Sequence, residues 1–128
     1  MRNKTLVDTT IWIEFFRSRS KMADHLEMLL KENLVLTCGI VMFEILQGIK
    51  SEDEKNEVLG VLSGLPYVEM MEKTWQKAAE LSVALKKGGV NLPLSDIFIA
   101  AIAIENELPV FTLDKHFEQI PNLKLYKF

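Results

Sequence analysis

The chain of 128 residues has almost nothing to tie it down covalently, with one cysteine, Cys38, two histidines and four prolines. A lone thiol excludes an internal disulfide and suits a reducing cytoplasm, the location expected for this protein. Its setting, LVLTCGI, is apolar, so Cys38 reads as a packed structural thiol and not as a nucleophile. Long apolar runs are missing too. The most apolar stretch, around Ile97 to Ile104, is too short to cross a bilayer, and MRNKTLVD offers no apolar core for a signal peptide. There is no repeat, no low-complexity tract and no Pro/Gly/Ser-rich linker, so a single domain over residues 1–128 is expected. A basic surplus is also absent. Fifteen Lys and Arg stand against 18 Asp and Glu, a net charge of −3, which is not the balance of a DNA-binding domain.

What is present is an alternation of short β-rich runs with longer helical ones. Thr5–Val7, Leu34–Cys38, Tyr67–Glu69, Pro109–Thr112 and Leu123–Tyr126 read as five strands. Between them, helices are expected from Thr9 or Thr10 to Arg17, Lys21 to Lys31, Ile40 to Ile49, Ser51 onward, Thr74 to the Gly88-Gly89 stop, and Asp96 to Glu105 with Ser95 as N-cap. Ser51 and Glu54 have the spacing of a capping box. Strands separated by helices require parallel crossovers, so the expected fold class is a three-layer α/β/α domain.

Four carboxylates stand out because each lies where an apolar run ends or turns over: Asp8 in TLVDTT, Glu44 in GIVMFEILQG, Asp96 in LPLSDIFIAAIA and Asp114 in PVFTLDKHF. A charge beside buried residues is costly, and several together repel one another unless a cation sits among them. Asp8 and Asp114 follow two strands and so face the carboxyl edge of the sheet, where open parallel sheets bind ligands. Taken singly, each acid also fits a structural role. Asp96 can be a helix-start acid favoured by the dipole, Asp8 or Asp114 a turn residue, Glu44 part of a polar stripe. Taken together they suggest a site for a hard cation, Mg2+ or Mn2+, since no Cys or His cluster with zinc spacing is present. His25 and His116 are single and far apart, and packing or surface roles are expected for both.

Such a site hydrolyses phosphodiesters with metal-activated water. Asp8 and Asp96 are the expected direct ligands, with Glu44 and Asp114 acting around the metal through water. Thr112, two residues before Asp114, is placed to hold the attacking water or a ligand carboxylate. Without the four acids the net charge would be +1, so a local basic rim is compatible with the composition. Arg17, Arg19, Lys21, Lys86, Lys87 and Lys115 are its candidates.

These residues resemble the PIN-domain family, and within it the VapC-like ribonuclease toxins of toxin–antitoxin modules. The resemblance rests on LVDTTIWIEFF, FEILQGI and LSDIFIAAIAIENELPVFTLDKHFEQIPNLKLY, in that order along the whole chain. It implies a small α/β domain with a parallel, twisted five-stranded sheet. The family's four acids fall on Asp8, Glu44, Asp96 and Asp114, and its small hydroxyl residue on Thr112. The implied activity is magnesium-dependent endonucleolytic cleavage of RNA. The implied partners are a VapB-like antitoxin, whose tail would block the acidic groove, and a second copy of the chain. The acidic pI of about 5.4 departs from a broad basic RNA-binding surface.

Two other α/β classes gather carboxylates. A response-regulator receiver domain needs an acidic pair near the first strand and a late-strand lysine, whereas Asp8 stands alone and Asp114 holds the late position. A haloacid-dehalogenase-type phosphatase needs a second Asp two residues after the first, where this chain has Thr10. The remaining alternative is a PIN-like binding module without catalysis.

Overall fold

A computed structural model describes residues 4–18 and 20–127. Arg19, one of the expected rim cations, lies outside the described residues. Four short strands carry the sheet: β1 (Thr5–Val7), β2 (Val35–Cys38), β3 (Tyr67–Val68) and β4 (Val110–Phe111). All pair in parallel, in the spatial order β3-β2-β1-β4. Every residue of β1, β2 and β4 is buried, as expected for strands of a parallel sheet covered on both faces. The register sets Leu6 opposite Leu36 on one side and opposite Val110 on the other.

The fifth expected strand is reduced to one parallel bridge, Val110 to Leu125, beyond β4. Two backbone hydrogen bonds hold it, Val110 N–H to Lys124 O and Tyr126 N–H to Val110 O. The segment enters from Asn122 at a positive φ of 67° and has a partner on one side only, which limits its ladder. β4 is also shorter than expected. Beyond Phe111 its backbone amides turn to side chains: Leu113 N–H donates to Thr10 Oγ1 and Asp114 N–H to Thr112 Oγ1.

Six α-helices occur among the described residues: α1 (Thr9–Arg17), α2 (Lys21–Lys31), α3 (Gly39–Gln47), α4 (Glu52–Leu62), α5 (Glu72–Lys87) and α6 (Leu94–Glu105). The right-handed crossover rule places α1 to α4 on one face of the sheet and α5 with α6 on the other. The packing agrees, with α1 against α2 and α3, and α5 against α6. α6 is apolar almost all round, so it buries Ile97, Ile99, Ala100, Ala101, Ile102 and Ala103 together. Its alanines let α5 approach closely. On the opposite face Trp12 is fully buried and stacks on Phe16 at 5.9 Å between ring centroids. None of the six helices is long and apolar enough to cross a membrane.

Three helix starts differ from the sequence expectation. Asp8, not Thr9 or Thr10, caps α1, because the first strong capping side chain after the strand takes the role. Pro93 occupies the cap position of α6, which moves Ser95 inside the helix. α5 begins at Glu72, so Thr74 sits in its first turn, where its Oγ1 accepts the Met71 N–H. Ser51 does cap α4, accepting the Glu54 N–H at 3.2 Å.

The strand order β3-β2-β1-β4 also separates this fold from the receiver class, whose order is 2-1-3-4-5. The chain leaves β1 toward β2 and β3 on one side and returns to β4 on the other. The topological switch point therefore lies between the carboxyl ends of β1 and β4, where such sheets bind ligands.

Candidate active site

Asp8 is the first residue after β1, and it enters the switch-point crevice as a buried carboxylate, only 3% exposed. Its Oδ2 accepts two hydroxyl protons, from Thr112 at 2.7 Å and from Thr10 at 2.8 Å, and a longer contact from the Thr10 N–H at 3.4 Å. Both threonines also accept a backbone N–H, from Asp114 and Leu113 respectively. Each hydroxyl has a single proton, so with both donated to Asp8 the 3.3 Å approach of the two oxygens is a contact between acceptors. Among the described residues the hydrogen bonds to the Asp8 carboxylate all fall on Oδ2.

Asp96 comes from the first turn of α6 and is 8% exposed. Its pKa is pushed up to about 6, first by burial, then by the negative charges of Asp114 and Asp8; the His116 contact acts the other way. The helix dipole favours an acid at this position by about 0.3–1 kcal/mol. A shift of roughly two pH units corresponds to about 3 kcal/mol, so burial and like charge outweigh the dipole.

Asp114 follows β4 and caps a 3-10 helix, Lys115–Gln119, by accepting the His116 N–H on Oδ1 at 2.9 Å. That turn folds the His116 ring back over the acids. His116 Nδ1 lies 3.1 Å from Asp114 Oδ1 and 3.3 Å from Asp96 Oδ2. One donor atom each from Asp96, Asp114 and His116 falls within 4.8 Å of the others, a grouping with metal-ligand chemistry. Glu44, half-buried on α3, is tied to the same crevice by the Thr9 hydroxyl, which donates to its Oε1 at 2.8 Å. Cys38, the residue before α3, is fully buried, and its thiol is pushed up by burial and by the charges of Asp8 and Glu44, against the pull of two backbone amides. It is a packed thiol, as its apolar setting suggested.

The structure thus ties the four sequence-selected acids and Thr112 to one end of the sheet. Sequence reasoning passed over three residues of the same region. His116 looked isolated because its spacing from His25 carries no metal pattern, yet its only neighbours that matter are two aspartates brought in by folding. Thr9 and Thr10 read as generic caps, whereas their hydroxyls hold Glu44 and Asp8. The signal available was the run Asp8-Thr9-Thr10 itself, two hydroxyls directly after a strand-end acid.

Of the expected rim cations, Lys115 adjoins the acids. It lines a groove of about 260 Å³ with Thr112, Asp114, Glu118, Tyr126 and Lys127, the last a further cation on this side. Arg17, at the end of α1, and Lys86 and Lys87, in the last turn of α5, are exposed. Lys87 borders a shallow apolar surface formed by Ala79, Val83 and Ala84.

Fold and site together define a parallel α/β domain with an acid-crowded crevice at its topological switch point. A family model for the PIN domain matches residues 5–123, and the chain belongs to that family. It is 32% identical to Ribonuclease VapC1 of Methanocaldococcus jannaschii, across 97% of this chain and 88% of that protein. Its fold is similar to that in the crystal structure of DNA-bound VapBC from Salmonella typhimurium, with a TM-score of 0.86, 22% identity and 98% of each chain covered. A toxin–antitoxin complex from Klebsiella pneumoniae contains a similar chain, with a TM-score of 0.73, 27% identity, and coverage of 98% of this chain and 100% of that one. The resemblance to VapC-like toxins that the sequence motifs suggested is borne out by these matches.

Proposed function

We propose that this chain is a single-domain, cation-dependent endoribonuclease that acts in the cytoplasm as the toxin of a VapBC-type toxin–antitoxin module. The observation that carries the reading is the crowding of Asp8, Asp96 and Asp114 at the switch point, where burial first, and then the charges of Asp114 and Asp8, raise Asp96 to about 6. Among the described residues no lysine or arginine pairs with these acids. A crowd of carboxylates without a lysine or arginine fits a divalent cation, and a donor set dominated by carboxylate oxygens suits Mg2+ or Mn2+.

Asp8 and Asp96 would hold the cation, with His116 beside Asp96 and with Glu44 and Asp114 acting around it through water. The cation supplies polarisation of the phosphoryl oxygen and a lowered pKa for the attacking water. Thr10 and Thr112 hold the Asp8 carboxylate in one orientation by donating to its Oδ2. His116 Nδ1, 3.3 Å from Asp96 Oδ2, orients the Asp96 carboxylate that would hold the cation. Lys115 and Lys127, beside the acids, offer ammonium groups to the RNA backbone on the β4 side, with Arg17, Lys86 and Lys87 as further contacts.

A VapB-like antitoxin is the partner, with a tail that occupies the crevice. The half-exposed Trp75 and Val83 on α5 support assembly as a homodimer. The test is incubation of the purified protein with RNA, with and without chelator. Cleavage is expected only when Mg2+ or Mn2+ is supplied, and expression is expected to arrest growth unless the antitoxin is co-expressed. Cleavage that persists in chelator would sink the metal-site reading. RNA left intact with either cation would favour the non-catalytic binding module.

A further inference from the structure

We infer that Thr10 is a positioning residue that sets the spacing of Asp8 and Asp114, and through that spacing the cation affinity of the site. The inference rests on the cation-dependent reading above and adds a residue that the four-acid pattern does not contain. The Thr10 side chain makes two bonds in opposite directions. Its hydroxyl donates to Asp8 Oδ2 at 2.8 Å, and the same oxygen accepts the Leu113 N–H at 3.0 Å. One oxygen atom therefore joins the end of β1 to the end of β4, across 103 positions of sequence.

The second bond has a consequence for Asp114. With Leu113 N–H held by Thr10 and Asp114 N–H held by Thr112, the chain leaves the sheet after Phe111 and turns into the 3-10 helix that Asp114 caps. That turn carries both Asp114 and His116 to Asp96. Thr112 makes the companion link from the β4 side, donating to Asp8 across 104 positions and accepting an amide of its own segment, whereas Thr10 alone reaches the Leu113 amide. A serine in place of Thr10 keeps the bridging oxygen. A valine keeps the branched shape and removes both bonds, leaving the Leu113 amide without its acceptor.

Supporting groups of this kind change metal affinity or activity by about 10–100-fold when removed. For Thr10→Val we expect the Mn2+ dissociation constant, read by titration calorimetry and by electron paramagnetic resonance, to rise by about 10-fold or more. The turnover rate is expected to fall by a similar factor while KM for RNA stays within about twofold, since the RNA-facing lysines are untouched. Hydrogen exchange at the Leu113 amide is expected to quicken. Thr10→Ser is expected to restore all three readouts to within a few-fold of the parent, which a loss of packing alone would not allow. Melting curves identify any variant that is unfolded, and the serine variant then carries the test, since a folded Thr10→Ser that keeps the bridging oxygen yet binds Mn2+ about 10-fold or more weakly than the parent overturns the inference. Unchanged Mn2+ affinity and Leu113 exchange in folded Thr10→Val overturn it as well, with the cation-dependent reading intact. A parent protein that binds no Mn2+ and cleaves no RNA overturns both.

Discussion

Asp96→Asn is expected to abolish cleavage and, in the metal-free protein, to raise stability at neutral pH. The two effects share one cause. Asp96 ionises in a buried position beside Asp114 and Asp8, so its pKa lies near 6 when folded and near 3.8 when unfolded. A group whose folded pKa is raised binds more protons in the native state than in the unfolded one, so stability falls as pH rises through the window between those values. Above that window the penalty is fully present, on the order of 2–3 kcal/mol, and below it the penalty vanishes. The asparagine variant never ionises. Urea unfolding with chelator present should therefore show it more stable than the parent at pH 7.5 and equal to it at pH 3.5. Adding Mg2+ should stabilise the parent and leave the variant unmoved, because only the parent has the carboxylate that links binding to folding. Cleavage should fall by about 10³-fold or more, equivalent to roughly 4 kcal/mol of barrier.

Asp8→Ala should lose activity to the same degree and move stability the other way. Asp8 is the acceptor for the Thr10 and Thr112 hydroxyls and the cap of α1. Its removal leaves two half-buried hydroxyl donors without their acceptor and frees the first turn of a helix. Each loss costs on the order of 1 kcal/mol, so a destabilisation of about 1–3 kcal/mol is expected at pH 7. Denaturant titration of the metal-free variants side by side gives the decisive contrast. Two acids of one site should shift the unfolding midpoint in opposite directions while both silence the enzyme. A stabilising Asp8→Ala would mean that the hydroxyl clamp and the helix cap do not support the fold.

The opposite signs show why part of the site was legible in the sequence and part was not. Asp8 and Asp114 announced themselves because strand periodicity locates strand ends, and in a parallel sheet those ends share an edge. Asp96 was legible as an acid opening an apolar helix. Glu44 could be selected for its apolar neighbours, but its connection to the crevice runs through Thr9, and no periodicity encodes a contact between residues 9 and 44. His116 and Thr10 were missed for the same reason. Their roles arise from approaches across 20 and 103 positions respectively. The helix starts went wrong by a few residues because Asp8 and Pro93 displaced the threonine and serine caps that local preference favoured. The last strand shrank to a bridge because an edge segment leaving a left-handed Asn122 has one neighbour to pair with.

The chemistry of the RNA ends tests the central claim most directly. If the acid crevice directs water at the phosphodiester and the 3′ oxygen leaves, every cut must create one new 5′-phosphate and one new 3′-hydroxyl. End-group analysis of a defined RNA cleaved by the parent protein in Mg2+ should find those termini at the cuts and no others. Fragments ending in a 2′,3′-cyclic phosphate would show attack by the RNA's own 2′-hydroxyl, and would contradict a site in which Asp8 and Asp96 hold a cation for hydrolysis by water.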